Sequence, residues 1–417
     1  MSNRARNIWT QAEAKYFQQL QATLKAQGFL RPSLVIDLDR LDHNIQEVMS
    51  SVQRAGKQLR VVEKSLPCPG LLGYIANKTA ARRLMSFHQP FLNQDAGLWP
   101  DADILLGKPM PVAMAERFYQ KHRGAFDPRR QLQWLIDTPE RLQQYLALAR
   151  KLGTRLNINL ELDVGLCRGG IAEGRAGTEA LRHILSTIEQ QPEHFAFTGF
   201  MGYDPHVVML PRLLGTPAKL LAHAMAVYRE RVDQVQQDFP ALWAQATEIK
   251  DQPGLTLNTA GSPTYRLHET ETVSNEISVG SGLLKPADFD LPSLSGHQPA
   301  VFIATPVLKN TGPLRLPGLG DPARLLPGLG RGRRDTIFIY GGNWLADYVW
   351  PPGLKPNRLY GRSSNQEIAT VSASVGLKAD DLVFLRPRQS EAVLLQFGDL
   401  VIVRSGEAVD TWPVFDQ

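Results

Sequence analysis

Short apolar runs alternate with helical patterns across more than two hundred residues of this 417-residue chain, and no other feature limits its fold as strongly. Leu34-Val35-Ile36 is followed by Leu41, Ile45, Val48, Met49 and Val52 at helical spacing, closed by Gly56. A second run at Leu59–Val62 completes a β-α-β unit. Further strand-like runs lie near 84–88, 103–106, 132–136, 156–163, 195–202, 255–259 and 276–281, with helical stretches that include 139–151, 173–190 and 212–238. With Leu34–Leu38 and Leu59–Glu63 these make nine candidate strands. Strands joined through helices pair in parallel, so an α/β fold follows. A (β/α)8 TIM-type barrel with one strand to spare is the simplest account, since an open doubly wound sheet is more often shorter.

The two ends of the chain differ from this middle. Residues 1–30 read as a helical appendage: Thr10 and Glu13 have capping-box spacing, Phe17, Leu20 and Leu24 share a face, and Gly28 ends the pattern before Pro32. From about Pro299 the runs become short, β-rich and separated by turn residues, which predicts a C-terminal β domain over 291–417 beside a barrel over 31–290. Inside it, Leu316-Pro317-Gly318-Leu319-Gly320 recurs at Leu326-Pro327-Gly328-Leu329-Gly330, followed by Arg331-Gly332-Arg333-Arg334. This Pro/Gly-rich insertion at 311–335 is most simply a mobile surface loop.

Composition excludes several function classes. Lys plus Arg is 46 against 41 for Asp plus Glu, and a net +5 spread through the chain is too weak to make nucleic acid or a membrane the main partner. Two cysteines, Cys68 and Cys167, allow no disulfide framework and point to a reducing cytoplasm. No apolar run nears the ~20 residues of a membrane helix, and no signal peptide is expected. The chain also lacks a Gly-x-Ser-x-Gly turn after a strand, a Walker loop and a Gly-x-Gly-x-x-Gly opening a helix, so serine-hydrolase and nucleotide-binding readings fail.

Barrel enzymes gather their reacting groups at the C-terminal ends of the strands. Leu59–Glu63 delivers Lys64, where partial desolvation would make an amine nucleophile toward carbonyls, although a solvated lysine just past a strand is the plainer reading. The strand 156–163 ends in Asp163 and a glycine-rich turn presenting Arg168, suited to an anionic ligand oxygen or to a structural salt bridge. Cys167 reads as a small packed residue rather than a nucleophile. Tyr203 offers a ring and a hydroxyl after the next strand. Then Asn258-Thr259-Ala260-Gly261-Ser262 and Val279-Gly280-Ser281-Gly282 place small residues and hydroxyls at the last two strand ends, where barrels commonly bind phosphate. Together with Lys64 they describe a cofactor bearing a phosphate and an aldehyde.

These residues carry a resemblance. Arg31-Pro32-Ser33-Leu34-Val35-Ile36-Asp37-Leu38-Asp39 with Asn44-Ile45, the lysine after an Arg60 strand, Asp163-Val164-Gly165-Leu166-x-Arg168-x-Gly170, Tyr203, Gly261-Ser262-Pro263-Thr264-Tyr265 and Asn275-Glu276-Ile277-x-Val279-Gly280-Ser281 occur in this order. The set resembles the pyridoxal-phosphate enzymes of the D-threonine aldolase and D-serine dehydratase family, built on the alanine-racemase type of barrel. Gly406-Glu407-x-Val409-Asp410-x-Trp412-Pro413-Val414 is similar to that family's closing strand. The resemblance implies that Lys64 holds pyridoxal 5'-phosphate as a Schiff base. It places Arg168 and Tyr203 beside the ring, and Asn258, Gly261, Ser262, Gly280 and Ser281 among the cofactor contacts. It also implies that strand 33–38 joins the β domain and that the protein is a homodimer.

Two departures bear on the reaction. Gln389 and Glu391 stand where the family's lyases carry the histidine and the cysteine or aspartate of a metal pair, and residues 298–417 contain neither His nor Cys. A zinc site there would need ligands from another region, while an oxygen-ligand manganese or magnesium site using Glu391 stays open. Beside the lysine, Val62 replaces the family's histidine and Glu63 comes next. The leading expectation is a lyase, aldolase or dehydratase, acting on a small D-configured β-hydroxy amino acid, with Lys64, Tyr203 and Glu391 as catalytic candidates. A racemase needs a second acid/base group opposite Lys64, for which Tyr203, His206 and Glu391 are candidates. A non-catalytic pyridoxal-phosphate binder is the third reading.

Overall fold

The computed structural model describes residues 11–248, 254–315, 318 and 334–416. Its chain divides into two compact units. One holds Asn44–Leu283, Leu291–His297 and the residues from Phe415; the other holds the described residues up to His43, Leu284–Asp290 and Gln298–Val414. Thr10 and, apart from Gly318, the repeated Leu-Pro-Gly-Leu-Gly stretch lie outside the described residues.

The first unit is a closed barrel of eight parallel strands: β2 (Gln58–Val62), β3 (Arg83–Ser86), β4 (Asp103–Leu106), β5 (Leu132–Ile136), β6 (Leu156–Leu162), β7 (Phe195–Gly202), β8 (Thr256–Thr259) and β9 (Glu276–Val279). The ring closes where β2 pairs β9, from Gln58 opposite Glu276 to Val61 opposite Val279. Helices lead into and connect the strands, among them α2 (Leu38–Ala55), α3 (Pro69–Thr79) and α4 (Gln89–Leu98), and their starts are written locally. Thr138 accepts a hydrogen bond from the Arg141 amide at 3.1 Å and Pro139 sets the first turn of Pro139–Leu152. The helix expected from residue 212 starts instead at Pro217, because Thr216 caps it and Arg212–Leu214 coils into a separate 3-10 turn.

Inside the barrel the strands bury polar side chains, which apolar periodicity does not register. Arg60 is fully buried on β2: its Nε donates to Glu276 Oε1 at 2.6 Å and its Nη2 to Asp103 Oδ2 at 2.6 Å. Arg83 reaches Glu276 Oε2 at 2.6 Å, so two guanidinium groups face two carboxylates. Burial opposes the charge on Arg60, and the Asp103 and Glu276 charges outweigh it; Arg60 and Arg83 in turn hold Glu276 below the usual carboxylate range against its own desolvation. Gln133 donates to Asp103 Oδ1 at 2.9 Å and to Thr256 Oγ1 at 3.0 Å, extending the network to β5 and β8.

The second unit is one sheet. It contains β1 (Ser33–Asp37), β10 (Val301–Asn310), β11 (Arg334–Ile339), β12 (Ala346–Trp350), β13 (Lys355–Pro356), β14 (Ile368–Ser372), β15 (Leu382–Pro387), β16 (Leu400–Arg404) and β17 (Glu407–Trp412). The main order is β13-β14-β11-β10-β1-β16-β17, with β15 pairing β10 and β12. The spare strand is thereby placed: β1 runs antiparallel to β10 and parallel to β16. The first helix, α1 (Gln11–Ala26), is no appendage. Its buried Phe17, Leu20 and Leu24 share a core with Val35, Phe302, Phe384 and Val401, and the Phe17 ring lies 5.2 Å from those of Phe302 and Phe384. A helix with one apolar stripe needs a partner, and the sheet supplies it.

Two outcomes follow from this packing. Phe17→Ala should destabilise the protein by about 3–5 kcal/mol, seen as a lowered midpoint in urea unfolding followed by tryptophan fluorescence. Arg60→Met leaves buried Asp103 without its cation and Glu276 with Arg83 alone, and should cost about 3–5 kcal/mol in the same measurement.

Candidate active site

At the end of β2 the chain turns sharply. Glu63–Ser65 forms a 3-10 turn, closed by the Leu66 amide on the Glu63 carbonyl at 2.7 Å, and Pro67 and Pro69 end any continuation before α3. Lys64 sits in this turn and is exposed, so the expected desolvation is not supplied by burial. Its Nζ lies 4.8 Å from the centre of the Phe87 ring, which follows β3.

The turn after β9 is pressed against the lysine turn. A Cβ on Gly280 would stand 2.8 Å from both the Val62 carbonyl oxygen and Val62 Cβ, and 3.1 Å from Ser65 Cβ, so only glycine permits this approach. Ser281 Oγ then donates to Ser65 Oγ at 2.9 Å. Ser262, from the turn after β8, accepts at Oγ from the Gly280 and Gly282 amides at 3.2 and 2.8 Å. Gly261 is equally constrained, since its Cβ would stand 2.5 Å from Tyr203 Cε2. The Tyr203 ring faces the Arg168 guanidinium, whose Cζ is 5.2 Å from the ring centre. Arg168, Tyr203, Gly261, Ser262, Gly280, Ser281 and Lys64 thus form one arc of neighbouring turns around the barrel mouth, from β6 through β9 to β2.

Asn258 is not part of that arc. It is buried, and its amide donates to Glu276 Oε1 at 2.8 Å and Ser278 Oγ at 2.7 Å, within the barrel's polar interior. Asp163 shapes the Arg168 turn rather than a ligand contact: its Oδ1 accepts from the Gly165 and Cys167 amides at 3.0 and 2.9 Å. Cys167 is exposed and not packed, because the turn holds it outward at a positive φ. His206 is buried at the start of the short helix His206–Met209, and desolvation lowers its pKa. In the sheet unit Glu391 is exposed, and Gln389 donates to Asp288 Oδ2 at 3.3 Å. Among the described residues, no group of three or more His, Cys, Asp or Glu side chains is arranged to hold a metal ion.

Two groups at the mouth went unread in the sequence. Glu161 shares a face of β6 with Asn159, whose amide reaches across to Gln133 Oε1 at 3.2 Å, so its carboxyl points toward the mouth. Desolvation, then the Asp137 charge, pushes it up to about 7, with Arg168 opposing. Behind the Gly261 turn lies a buried relay. Thr264 Oγ1 accepts from the Gly261 amide and donates to Asp204 Oδ1 at 2.6 Å; Asp204 Oδ2 meets His268 Nε2 at 2.7 Å; Glu271 meets Lys57 Nζ at 2.6 Å. Burial opposes the charged imidazole, but Asp204 overrides it and His268 rises to about 9. Glu161 lies two residues before the Asp163 turn and Asp204 directly follows Tyr203, but a single carboxylate gives no periodic signal and its pairing depends on residues distant in sequence.

Because its folded value lies above the ordinary 6.5, charged His268 stabilises the fold fully below pH 6.5, and that stability is lost as pH rises through about 9. His268→Gln should therefore lower the melting temperature at pH 6 and flatten the decline between pH 6.5 and 9, read by scanning calorimetry across pH.

The model of the alanine racemase N-terminal domain matches residues 36–287. No curated protein matches the sequence. Solved structures share the architecture. D-threonine aldolase from Filomicrobium marinum superposes with a TM-score of 0.67 at 17% identity, covering 92% of this chain and 95% of that one. D-threo-3-hydroxyaspartate dehydratase from Delftia sp. HT23 gives 0.68 at 16%, covering 93% and 97%. Alanine racemase from Bacillus anthracis gives 0.65 at 13%, covering 92% and 98%. At these identities the likeness concerns the fold, whereas the domain match spans more than half of the sequence, and the chain belongs to the alanine racemase N-terminal domain family.

Proposed function

We propose that the protein is a pyridoxal-phosphate enzyme that acts as a lyase on a small, D-configured β-hydroxy amino acid. The observation that carries this reading is the contact of the Lys64 turn with the Gly280-Ser281 turn, which sets an exposed primary amine beside a cluster of small residues, hydroxyls and backbone amides. These residues fit a phosphate-bearing aldehyde. Gly261 and Gly280 leave room a Cβ would fill, and the amides of Gly280 and Gly282 with the hydroxyls of Ser262, Ser281 and Ser65 would hold the phosphate. Bound there, the cofactor would supply an electron sink for charge developing at the substrate α-carbon.

The chain's own groups divide the remaining work. Lys64 offers the amine at the mouth. Tyr203 and Arg168 form a flat, cationic wall. Glu161, near 7, is half ionised at neutral pH and can hold or release a proton at its carboxyl. Members of the same fold named as a D-threonine aldolase and a D-threo-3-hydroxyaspartate dehydratase support the lyase reading. The replacement of a histidine and thiolate or carboxylate pair by Gln389 and Glu391 favours a racemase as the second reading, since the sheet unit then lacks a strong metal-binding pair. A homodimer in a reducing cytoplasm suits two free cysteines, Cys68 buried and Cys167 exposed, and among the described residues no helix is long and apolar enough to cross a membrane.

Purified protein given pyridoxal phosphate should turn yellow, and borohydride reduction should leave a pyridoxyl group on Lys64. Lys64→Ala should abolish both colour and turnover. Incubation with D-threonine, D-serine and D-3-hydroxyaspartate, with and without manganese, should release an aldehyde or a keto acid. Exchange of the α-proton alone would move the assignment to racemase, and a colourless protein would end the cofactor reading.

A further inference from the structure

Directly beside Lys64 in the chain, Glu63 is completely buried, and neither of its carboxylate oxygens meets a protein hydrogen-bond partner of good geometry. The same is true of Asp95 on α4 and of the Ser86 hydroxyl at the end of β3. Five oxygens on the Glu63 turn, the end of β3 and α4 are therefore buried without conventional partners. Ser86 and the Phe87 amide favour the ionised form of Glu63, but burial overrides them and lifts it to about 8; Asp95 is pushed up by burial and then by the Glu63 charge itself.

An isolated ionised carboxylate is costly to bury, and two within reach of each other repel as well. The nearby cations do not relieve this. Arg60 is spent on Glu276 and Asp103, and the groups that act on the two acids are Ser86, the Phe87 amide and Glu63 itself, with no cation among them. A proton is the remaining partner: one protonated carboxyl can donate to the other, as in paired acids elsewhere.

We propose that Glu63 and Asp95 share a proton in the folded protein, and that this pair is the positioning element that holds the turn carrying Lys64 against β3 and α4. Glu63 acts through the backbone. Its carbonyl closes the 3-10 turn through the Leu66 amide, and Ser86 is followed directly by Phe87, against which Lys64 lies. Loss of the shared proton leaves two buried negative charges, whose repulsion strains the turn that carries Lys64. The role assigned to the turn rests on the cofactor reading; the shared proton does not.

Full-length protein freed of cofactor tests the pair, with Glu63→Gln and Asp95→Asn as volume-conserving variants. At pH 7 the infrared spectrum of the wild type should show a protonated carboxylic acid stretch that either variant removes. Wild-type stability should fall as pH rises from the ordinary 4.5 to about 8, because the folded state keeps a proton the unfolded chain has released, and Glu63→Gln should flatten that fall. With added pyridoxal phosphate and borohydride, labelling of Lys64 above pH 8 should drop in the wild type relative to Glu63→Gln by up to about tenfold per pH unit, since the glutamine amide donates where the proton sat. The absence of the acid stretch in the wild type, or a melting temperature raised by sodium, potassium or calcium ions only when both acids are present, overturns the shared proton. Identical labelling profiles in wild type and Glu63→Gln overturn the positioning role. If no protein is labelled at any pH, the cofactor reading falls, while the infrared and melting data still decide the pair.

Discussion

The barrel closes where β2 meets β9, and the charge inside it makes that closure specific. Arg60 on β2 grips Glu276 on β9 and Asp103 on β4 where burial weakens solvent screening, so the register that pairs these three strands leaves none of their charges alone. Closure in that register sets the end of β2 beside the end of β9. Lys64 and the Gly280 turn become neighbours for this reason, although more than two hundred residues separate them in sequence.

Above this layer, the mouth is built from residues whose smallness matters as much as their chemistry. Gly280 and Gly261 admit the Val62 backbone and the Tyr203 ring respectively. Hydroxyls and amides that would otherwise be orphaned are satisfied by one another: Ser262 by the two glycine amides, Ser281 by Ser65. A site that binds itself in this way keeps its shape without a ligand. Its donors are held close to one another, ready to turn toward an anion.

Titratable groups around the mouth fall into distinct electrostatic situations. His268 is buried with an opposing carboxylate and stays charged; Glu161 is half-buried among like charges and hovers near 7; Glu63 and Asp95 are buried with only each other. Each outcome follows from what faces the group, since desolvation acts in the same sense on all of them and only the neighbouring charge differs.

Alternating apolar runs and helical faces were enough to place the barrel strands within a residue or two, because the outer face of each strand packs on helices and must be apolar over its length. Strand-end position likewise singled out Lys64, Arg168, Tyr203, Gly261, Ser262, Gly280 and Ser281, which a closed parallel barrel gathers at one rim. Other features depended on contacts between residues distant in sequence. Asn258 belongs to the interior and not to the rim because Glu276 and Ser278 claim its amide; α1 enters the core of the sheet because Phe302 and Phe384 meet Phe17; and Asp95 on α4 is buried within reach of the Glu63 charge. The sequence by itself determined the order and type of the elements and the loops that carry chemistry, since periodicity and turn residues act locally. Tertiary structure alone decided which polar groups are paired, buried or left to share a proton, since burial and electrostatic pairing depend on where the folded chain places its neighbours.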